Sequence, residues 1–369
     1  MPVTASVISL TATRCTFRNF TTAGINAAST TRLNLTMTDC TLTAGAAAGG
    51  VVLSSYVAGN IVISGGSTTI TSQNTASLAG GIFVSGSTVG TGTFSCTNHS
   101  VAITLDPSLT SSGVHYGIRA LNMANSVVDG GTHTISGTPG SRQAANVIID
   151  YNGTGSISGS QIKNATGTNS TNGGYNFGFG LESAGTPSQA NGCSITNCTT
   201  SAGAVAVAGD VHALFMGFTQ NGTVSGNTIG DSGTAIVDKD STGTTVTLNT
   251  ISGAMSVAGL LMKGSTNCTH SSNAVTLTSG TNVILMRIEA DGGTNSTGCA
   301  WTANTFTVAG GTGAAYVVQD TSQTATPTSN IYNKSSGTLA SHPWQRTGVN
   351  YDTLSAWKAI EPSATGNAP

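Results

Sequence analysis

The sequence predicts an all-β solenoid, one coil of short strands stacked turn upon turn. Three observations carry this reading. A short phrase recurs as Asn227-Thr228-Ile229, Asn249-Thr250-Ile251, Asn273-Ala274-Val275 and Asn304-Thr305-Phe306, at spacings of 22, 24 and 31 residues. Periods of that size mark repeat architectures, in which each turn buries its apolar side against its neighbours. Val, Ile and Leu alternate with Thr and Ser inside each repeat, the period of two expected of strands with one buried face. Only 7% of the 369 residues are charged, against about 25% in typical domains.

Each repeat contains two principal strands and a corner. The first strand follows Gly or Ala, as in Gly81-Ile82-Phe83-Val84, Gly117-Ile118-Arg119-Ala120, Ala235-Ile236-Val237-Asp238 and Gly259-Leu260-Leu261-Met262. The second precedes the Asn phrase, as in Gly222-Thr223-Val224-Ser225-Gly226-Asn227-Thr228-Ile229. Gly between strands supplies the bends. Asn at the same corner of successive turns predicts an internal ladder that satisfies corner backbone groups. Cys15, Cys40 and Cys198 occupy the Asn place in other repeats, while Cys193, Cys268 and Cys299 lie five residues before it. These read as small, stackable core side chains. Cys268 and Cys299 fall on consecutive turns, yet in-register parallel strands suit a disulfide poorly. Gly167 to Tyr175 and Ala184 to Asn191 read as longer loops. The pattern fades after Asp320, so residues 1–320 are expected to form the solenoid. Residues 321–369 are expected to form a linker and a closing tail, with Tyr351–Lys358 as a short helix or strand shielding the last turn.

Other classes are set aside. The net charge is −2 with no basic stripe, which removes the electrostatic footprint of nucleic-acid binding. No apolar run is long enough to cross a bilayer as a helix. The opening Met1-Pro2-Val3-Thr4-Ala5 has no secretory pattern, so the expectation is a mature or excised piece, or a protein released without a signal. No Cys/His cluster suggests zinc, and neither a metal nor another cofactor is expected.

The Gly-Ile-x-Val strands and the Val-Ser-Gly-Asn-Thr-Ile phrase resemble the right-handed parallel β-helix repeats of the pectate-lyase-like superfamily, over about residues 10–320. The Thr353-Leu354-Ser355-Ala356-Trp357 segment resembles the piece that follows such helices in large bacterial and phage surface proteins. The resemblance implies a single-stranded right-handed parallel β-helix of about 10–11 turns. It leaves function open among lyases, hydrolases, epimerases, tailspike depolymerases and adhesins. It also implies an extracellular or virion location, and a homotrimer or a place in a larger fibre.

Aligning the first strands exposes a polar column: Ser54, Ser85, Asn122, Asp150, Glu182, Asp238, Lys263, Arg287 and Gln319. Adjacent parallel strands lie about 4.8 Å apart, so Asp150 and Glu182 become neighbouring carboxylates. That separation suits a retaining glycosidase pair, and like charges so close raise one pKa. Tyr151, Tyr175 and Phe177 lie near them in sequence as stacking surfaces for a sugar. Asp238, Lys263 and Arg287 are further substrate contacts, or a ladder of exposed ion pairs worth little each. A lyase needs clustered cations, and 12 Lys and Arg are spread along the chain.

Three functions follow in order. The first is a rigid structural or adhesive rod that contacts a surface polysaccharide or host glycan. The second is a polysaccharide-cleaving glycosidase that uses Asp150 and Glu182. The third is an ice- or crystal-surface binder, ranked last because the Thr rows look irregular along the chain.

Overall fold

The computed structural model describes residues 7–28, 32–47, 49–56, 59–73, 79–87, 92–106, 114–137, 143–151, 157–171, 175–183, 190–202, 210–311, 313–321 and 324–369. Three parallel ladders run its length. Sheet A has 12 strands, from Val7–Thr13 to Thr326–Thr328. Sheet B runs from Thr16–Arg18 to Ile331–Lys334, and sheet C from Ala23–Ala28 to Trp344–Arg346. One turn visits A, B and C in that order, as in Thr223–Ser225, Thr228–Ile229 and Ser232–Lys239. Each strand then pairs in parallel with its counterpart one turn on, for example Val224 with Val246 and Ile236 with Leu260. The chain is a parallel β-helix. It has 12 turns, slightly more than the repeat phrase alone indicated.

The additional turn lies at the C-terminal end. The ladders continue past residue 320 through Thr326–Thr328, Ile331–Lys334 and Trp344–Arg346, so much of the expected linker is regular structure. Val349–Tyr351 then folds back antiparallel on Trp344–Arg346. A one-turn helix, Leu354–Trp357, closes the end, with Thr353 Oγ1 accepting from Ala356 N at 3.1 Å. Leu354 and Trp357 are buried by it. The stretch read as a loop from Gly167 to Tyr175 instead begins inside the sheet B strand Thr166–Asn169. It ends at Tyr175, the first residue of a sheet C strand, and the second expected loop, Ala184 to Asn191, ends in the short strand Ala190–Asn191; residues 172–174 and 184–189 lie outside the described residues.

The corner between A and B explains the repeat phrase. Its first residue is left-handed in every turn: Arg14, Asp39, Gly65, Asn98, Gly130, Asn164, Asn197, Gly226, Leu248, Ser272, Ala303 and Ser329 have φ between 51° and 73°. Gly, Asn and Asp tolerate that conformation best, and they supply seven of these twelve positions. The residue after it points inward and carries the ladder. Asn249 Nδ2 donates to Val224 O at 3.0 Å and to Asn273 Oδ1 at 2.8 Å. Its Oδ1 accepts from Asn227 N and Nδ2, at 3.0 and 2.8 Å. The same pattern links Asn227, Asn249, Asn273, Asn304 and Asn330.

The ladder ends on a carboxylate. Glu361 Oε1 accepts from Asn330 N and Nδ2 at 2.7 and 2.9 Å, and Oε2 accepts from Tyr332 OH and Trp357 Nε1 at 2.7 and 3.1 Å. Glu361 is fully buried. In earlier turns Cys40 and Cys198 hold the same corner, their thiols donating to backbone carbonyls. All seven cysteines are free thiols.

Inside the coil, the inward columns are apolar. Sheet A contributes Met37, Ile63, Cys96, Val128, Ile162, Ile195, Val224 and Val246, all buried. In sheet C two consecutive residues face inward, as with Ala235-Ile236 and Leu285-Met286, both members of the core. That doubled step shifts the alternation by one and sets which side chains reach the outer face.

Candidate functional site

The outer face of sheet C gathers most of the polar chemistry. Register places three outward rows side by side. The outermost is Ser85, Leu121, Asp150, Glu182, Gly217, Lys239, Lys263 and Glu289. The middle row is Phe83, Arg119, Ile148, Gly180, Phe215, Val237, Leu261 and Arg287. The third contains Tyr116, Ala145, Phe177, His212 and Thr234.

This assigns the residues expected from sequence. Asp150 and Glu182 are direct partners across neighbouring strands. Lys263 stands in their row, and Arg287 and Gln319 stand one row in. Asp238 does not reach this face. It pairs with Met216 and Met262 in an inward column and is fully buried, its Oδ2 3.6 Å from His270 Nε2. The doubled inward step at Ala235-Ile236 is the cause, and Lys239 takes the place that Asp238 was expected to hold. Asn122 likewise lies one past the row, where Leu121 pairs with Asp150. Tyr151 turns into the core, its hydroxyl donating to Ser160 Oγ at 3.0 Å, so it offers no stacking surface. Phe177 is on the outer face but buried, its ring 5.0 Å from that of Phe215. Tyr175 aligns with Gln143 and Asp210 in the backbone ladder, and its side chain lies outside the described residues.

The two carboxylates differ in state. Arg119 grips Asp150 with Nε at 3.1 Å from both oxygens and Nη2 at 2.5 Å from Oδ2. The guanidinium sits 4.7 Å from the Tyr116 ring centroid. Burial pushes the Asp150 carboxyl up, and the charge and hydrogen bonds of Arg119 oppose that. Glu182 is raised to about 7, first by burial and then by Asp150, with Arg119 and Lys239 pulling it down. Glu182 therefore keeps its proton to a higher pH than an ordinary carboxyl, while both oxygens of Asp150 are occupied. A retaining glycosidase needs a free ionised nucleophile beside its acid. Here the carboxyl beside Glu182 is tied down by Arg119.

Further along the same face lies a groove of about 300 Å³ lined by His212, Phe215, Thr234, Val237, Lys239, Val257, Leu261, Lys263, Arg287 and Glu289. Its floor is apolar and its rim charged. Phe215 stacks with His212 at 5.7 Å. Gly217 leaves room for that ring, since a Cβ there would lie 2.5 Å from Phe215 Cε1. The rim is a network: Arg287 to Glu289 at 2.6 Å, Lys263 to Glu289 at 3.5 Å and to Asp291 at 3.4 Å, and Lys239 to Asp291 at 3.1 Å. Lys239 and Glu289 were missed by sequence reading because the row they occupy depends on the doubled inward step, and Asp291 was missed because it lies past the strand end, in a tight bridge with Thr294. Among the described residues, no three His, Cys, Asp or Glu side chains converge as metal ligands.

Sheet B has a different outer face. Thr132, Thr166, Thr199, Thr228 and Thr250 stand in one register row, and Thr134, Thr168 and Ser201 in the next. A shallow trough of about 280 Å³ runs along them from Thr166 to Thr250. The rows that looked irregular along the chain are aligned in space, with breaks at Gly230 and Ala274.

No protein-family model matches the chain, and neither a curated protein nor a solved structure matches it.

Proposed function

We propose that the chain is a rigid β-helical rod, extracellular or virion-associated, that presents the outer face of sheet C to a surface polysaccharide or host glycan. The observation that supports this most is the groove with an apolar floor of Phe215, Val237 and Leu261 and a hydrogen-bonding rim of Lys239, Lys263, Arg287 and Glu289. Sugars combine apolar ring faces with hydroxyl edges, and concave sites with a few placed polar groups suit them. The carboxylate pair supports binding over turnover, because Arg119 occupies Asp150. The test is a panel of capsular, lipopolysaccharide and plant-type glycans. At least one should bind, and Arg287→Ala with Lys239→Ala should weaken it about tenfold or more, the size of one or two charge-assisted hydrogen bonds. Reducing ends that appear with the parent and vanish in Glu182→Gln would replace the rod with a glycosidase. A homotrimer belongs to this reading and is checked by sedimentation.

A second reading has its own observation. Aligned, uncharged hydroxyl rows on sheet B from Thr132 to Thr250 are what binding to an ordered lattice such as ice requires. Ice-affinity partitioning, with Thr199→Lys as the control, tests it.

A further inference from the structure

The corner between sheets C and A turns on a left-handed residue in successive turns. Phe218, Asp240 and Gly264 occupy equivalent places there, their amides donating to Lys239 O, Lys263 O and Glu289 O at 2.9, 2.8 and 3.0 Å. Their φ values are 51°, 48° and 62°. Gly and Asp tolerate that conformation, whereas a bulky ring in it is an outlier. Phe218 is the single aromatic residue with positive φ among the described residues. Core packing does not account for it, since Phe218 is half-buried and lies outside the hydrophobic core. Lys239 Nζ lies 5.8 Å from its ring centroid. A strained residue held at a surface position points to function.

The ring lines a cleft of about 490 Å³ whose other walls are polar: Asp240, Thr242, Thr266, Asp291 and Thr294. Thr242 and Thr266 are bridge partners on neighbouring turns. One wall is the tight loop Asp291–Thr294, closed by Asp291 N to Thr294 O at 2.9 Å and Thr294 N to Asp291 O at 2.7 Å. Gly264 leaves the space in which two carboxyl groups meet, since a Cβ there would collide with Asp240 Oδ1 and lie 3.0 Å from Asp291 Cβ. Burial, and then a hydrogen bond and the charge of Asp291, raise Asp240 to about 6. Asp291 also pairs with Lys239 and Lys263, at 3.1 and 3.4 Å, and both lysines line the sheet C groove. Cleft and groove therefore share a wall across the corner.

We propose that this cleft is a second sugar subsite, adjoining the groove, and that it takes a neutral sugar ring. Phe218 is the platform for the apolar face of that ring. Asp240, Asp291 and the threonine hydroxyls hydrogen-bond its hydroxyl edge, the carboxyl groups being the stronger partners. The charged residues that line the cleft are both acids, so a uronate or a sulfated sugar is repelled. One glycan chain spans groove and cleft, which makes the ligand an oligosaccharide rather than a single sugar. That continuity rests on the glycan reading of the groove.

The test titrates the full chain with maltohexaose, laminarihexaose and mannohexaose in a calorimeter. At least one should bind, and it should shift the ring signals of Phe218 in the spectrum of phenylalanine-labelled protein. Phe218→Ala should weaken that binding about tenfold or more, as loss of an anchoring aromatic does, and Phe218→Tyr should keep it. Phe218→Asn is the folding control. It suits the left-handed corner, as Asn122 does at φ 58°, so it should melt at or above the parent and still lose the sugar. Binding by none of the three, or binding unaffected by Phe218→Ala, overturns the proposal. So does a galacturonate hexamer bound with the same dependence on Phe218. Binding that falls with Arg287→Ala and not with Phe218→Ala keeps the groove reading and removes the subsite. Binding that falls with Phe218→Ala and not with Arg287→Ala keeps the subsite and removes the groove reading.

Discussion

Glu182 and Asp150 occupy equivalent places on adjacent strands, yet their surroundings drive them apart. Glu182 is raised from 4.5 to about 7 by burial and by Asp150. The folded chain thus keeps a proton that the unfolded chain releases between those two values. By linkage, this carboxyl lowers stability as pH rises through that window, and it has no such effect below it. Glu182→Gln should therefore melt higher than the parent above about pH 7, by on the order of 1–3 kcal/mol, and should match it near pH 4. Equal melting at both pH values would show that Glu182 is solvated. A second residue-scale test concerns the interior. Asp238 and His270 face each other at 3.6 Å with no exposed surface, and neither Asp238 oxygen has a hydrogen bond. Their column neighbours are Met216, Met262, Val246 and Trp301. His270→Ala alone should destabilise the coil, because it opens a cavity beside Asp238 and removes the polar group nearest to its buried carboxyl. Asp238→Met with His270→Val, which completes the apolar columns, should be neutral or stabilising by about 1–4 kcal/mol in denaturant melts.

At the scale of the element, the left-handed corner is the unit that repeats. Leu248 holds that position with φ 58° and is 64% exposed. A left-handed conformation costs an ordinary residue about 1–2 kcal/mol. Leu248→Gly should thus stabilise the coil by about 0.5–1 kcal/mol, once the entropy of a freer unfolded chain is subtracted. A melting temperature that falls instead would mean that Leu248 makes contacts worth more than its strain. The corner also shows what was legible in the sequence. Asn227, Asn249, Asn273 and Asn304 were readable as a ladder because the same amide recurs at the same inward place of successive corners. The outer face of sheet C was read less accurately. Its alternation is broken at Ala235-Ile236 and Leu285-Met286, where two residues in a row face the core. A period-of-two reading carried across that step slips by one, which put Asp238 outside and hid Lys239. Tyr151 was misplaced for a related reason, since nearness in sequence to Asp150 puts it on the opposite face of the strand. The rows on sheet B were hidden because turns of unequal length disguise a register that is regular in space.

For the whole molecule, stability is transmitted from turn to turn, and the C-terminal closure holds the final link. Glu361 accepts four hydrogen bonds from Asn330, Tyr332 and Trp357. Glu361→Ala would leave those buried donors unpaired, and losses of about 1–3 kcal/mol for each stranded group add up to a large cost. We expect the last turn to open first, seen as faster amide exchange at Tyr332 and Trp344 before any change at Val224. Uniform exchange along the coil would instead mean that the turns unfold as one unit.

The amide ladder also has a direction. Each Asn from 227 to 330 gives its side-chain donor to the next turn and takes from the one before. Every interior link is therefore chemically interchangeable with its neighbour, and only the terminal acceptor is distinct. A segment running from one corner to the next, such as Asn227 through Leu248, can be copied or removed without orphaning a single amide. The molecule behaves as a ruler graduated in steps of about 4.8 Å. Its reach is set by how many copies of one sentence the gene contains, and Glu361 acts as the full stop.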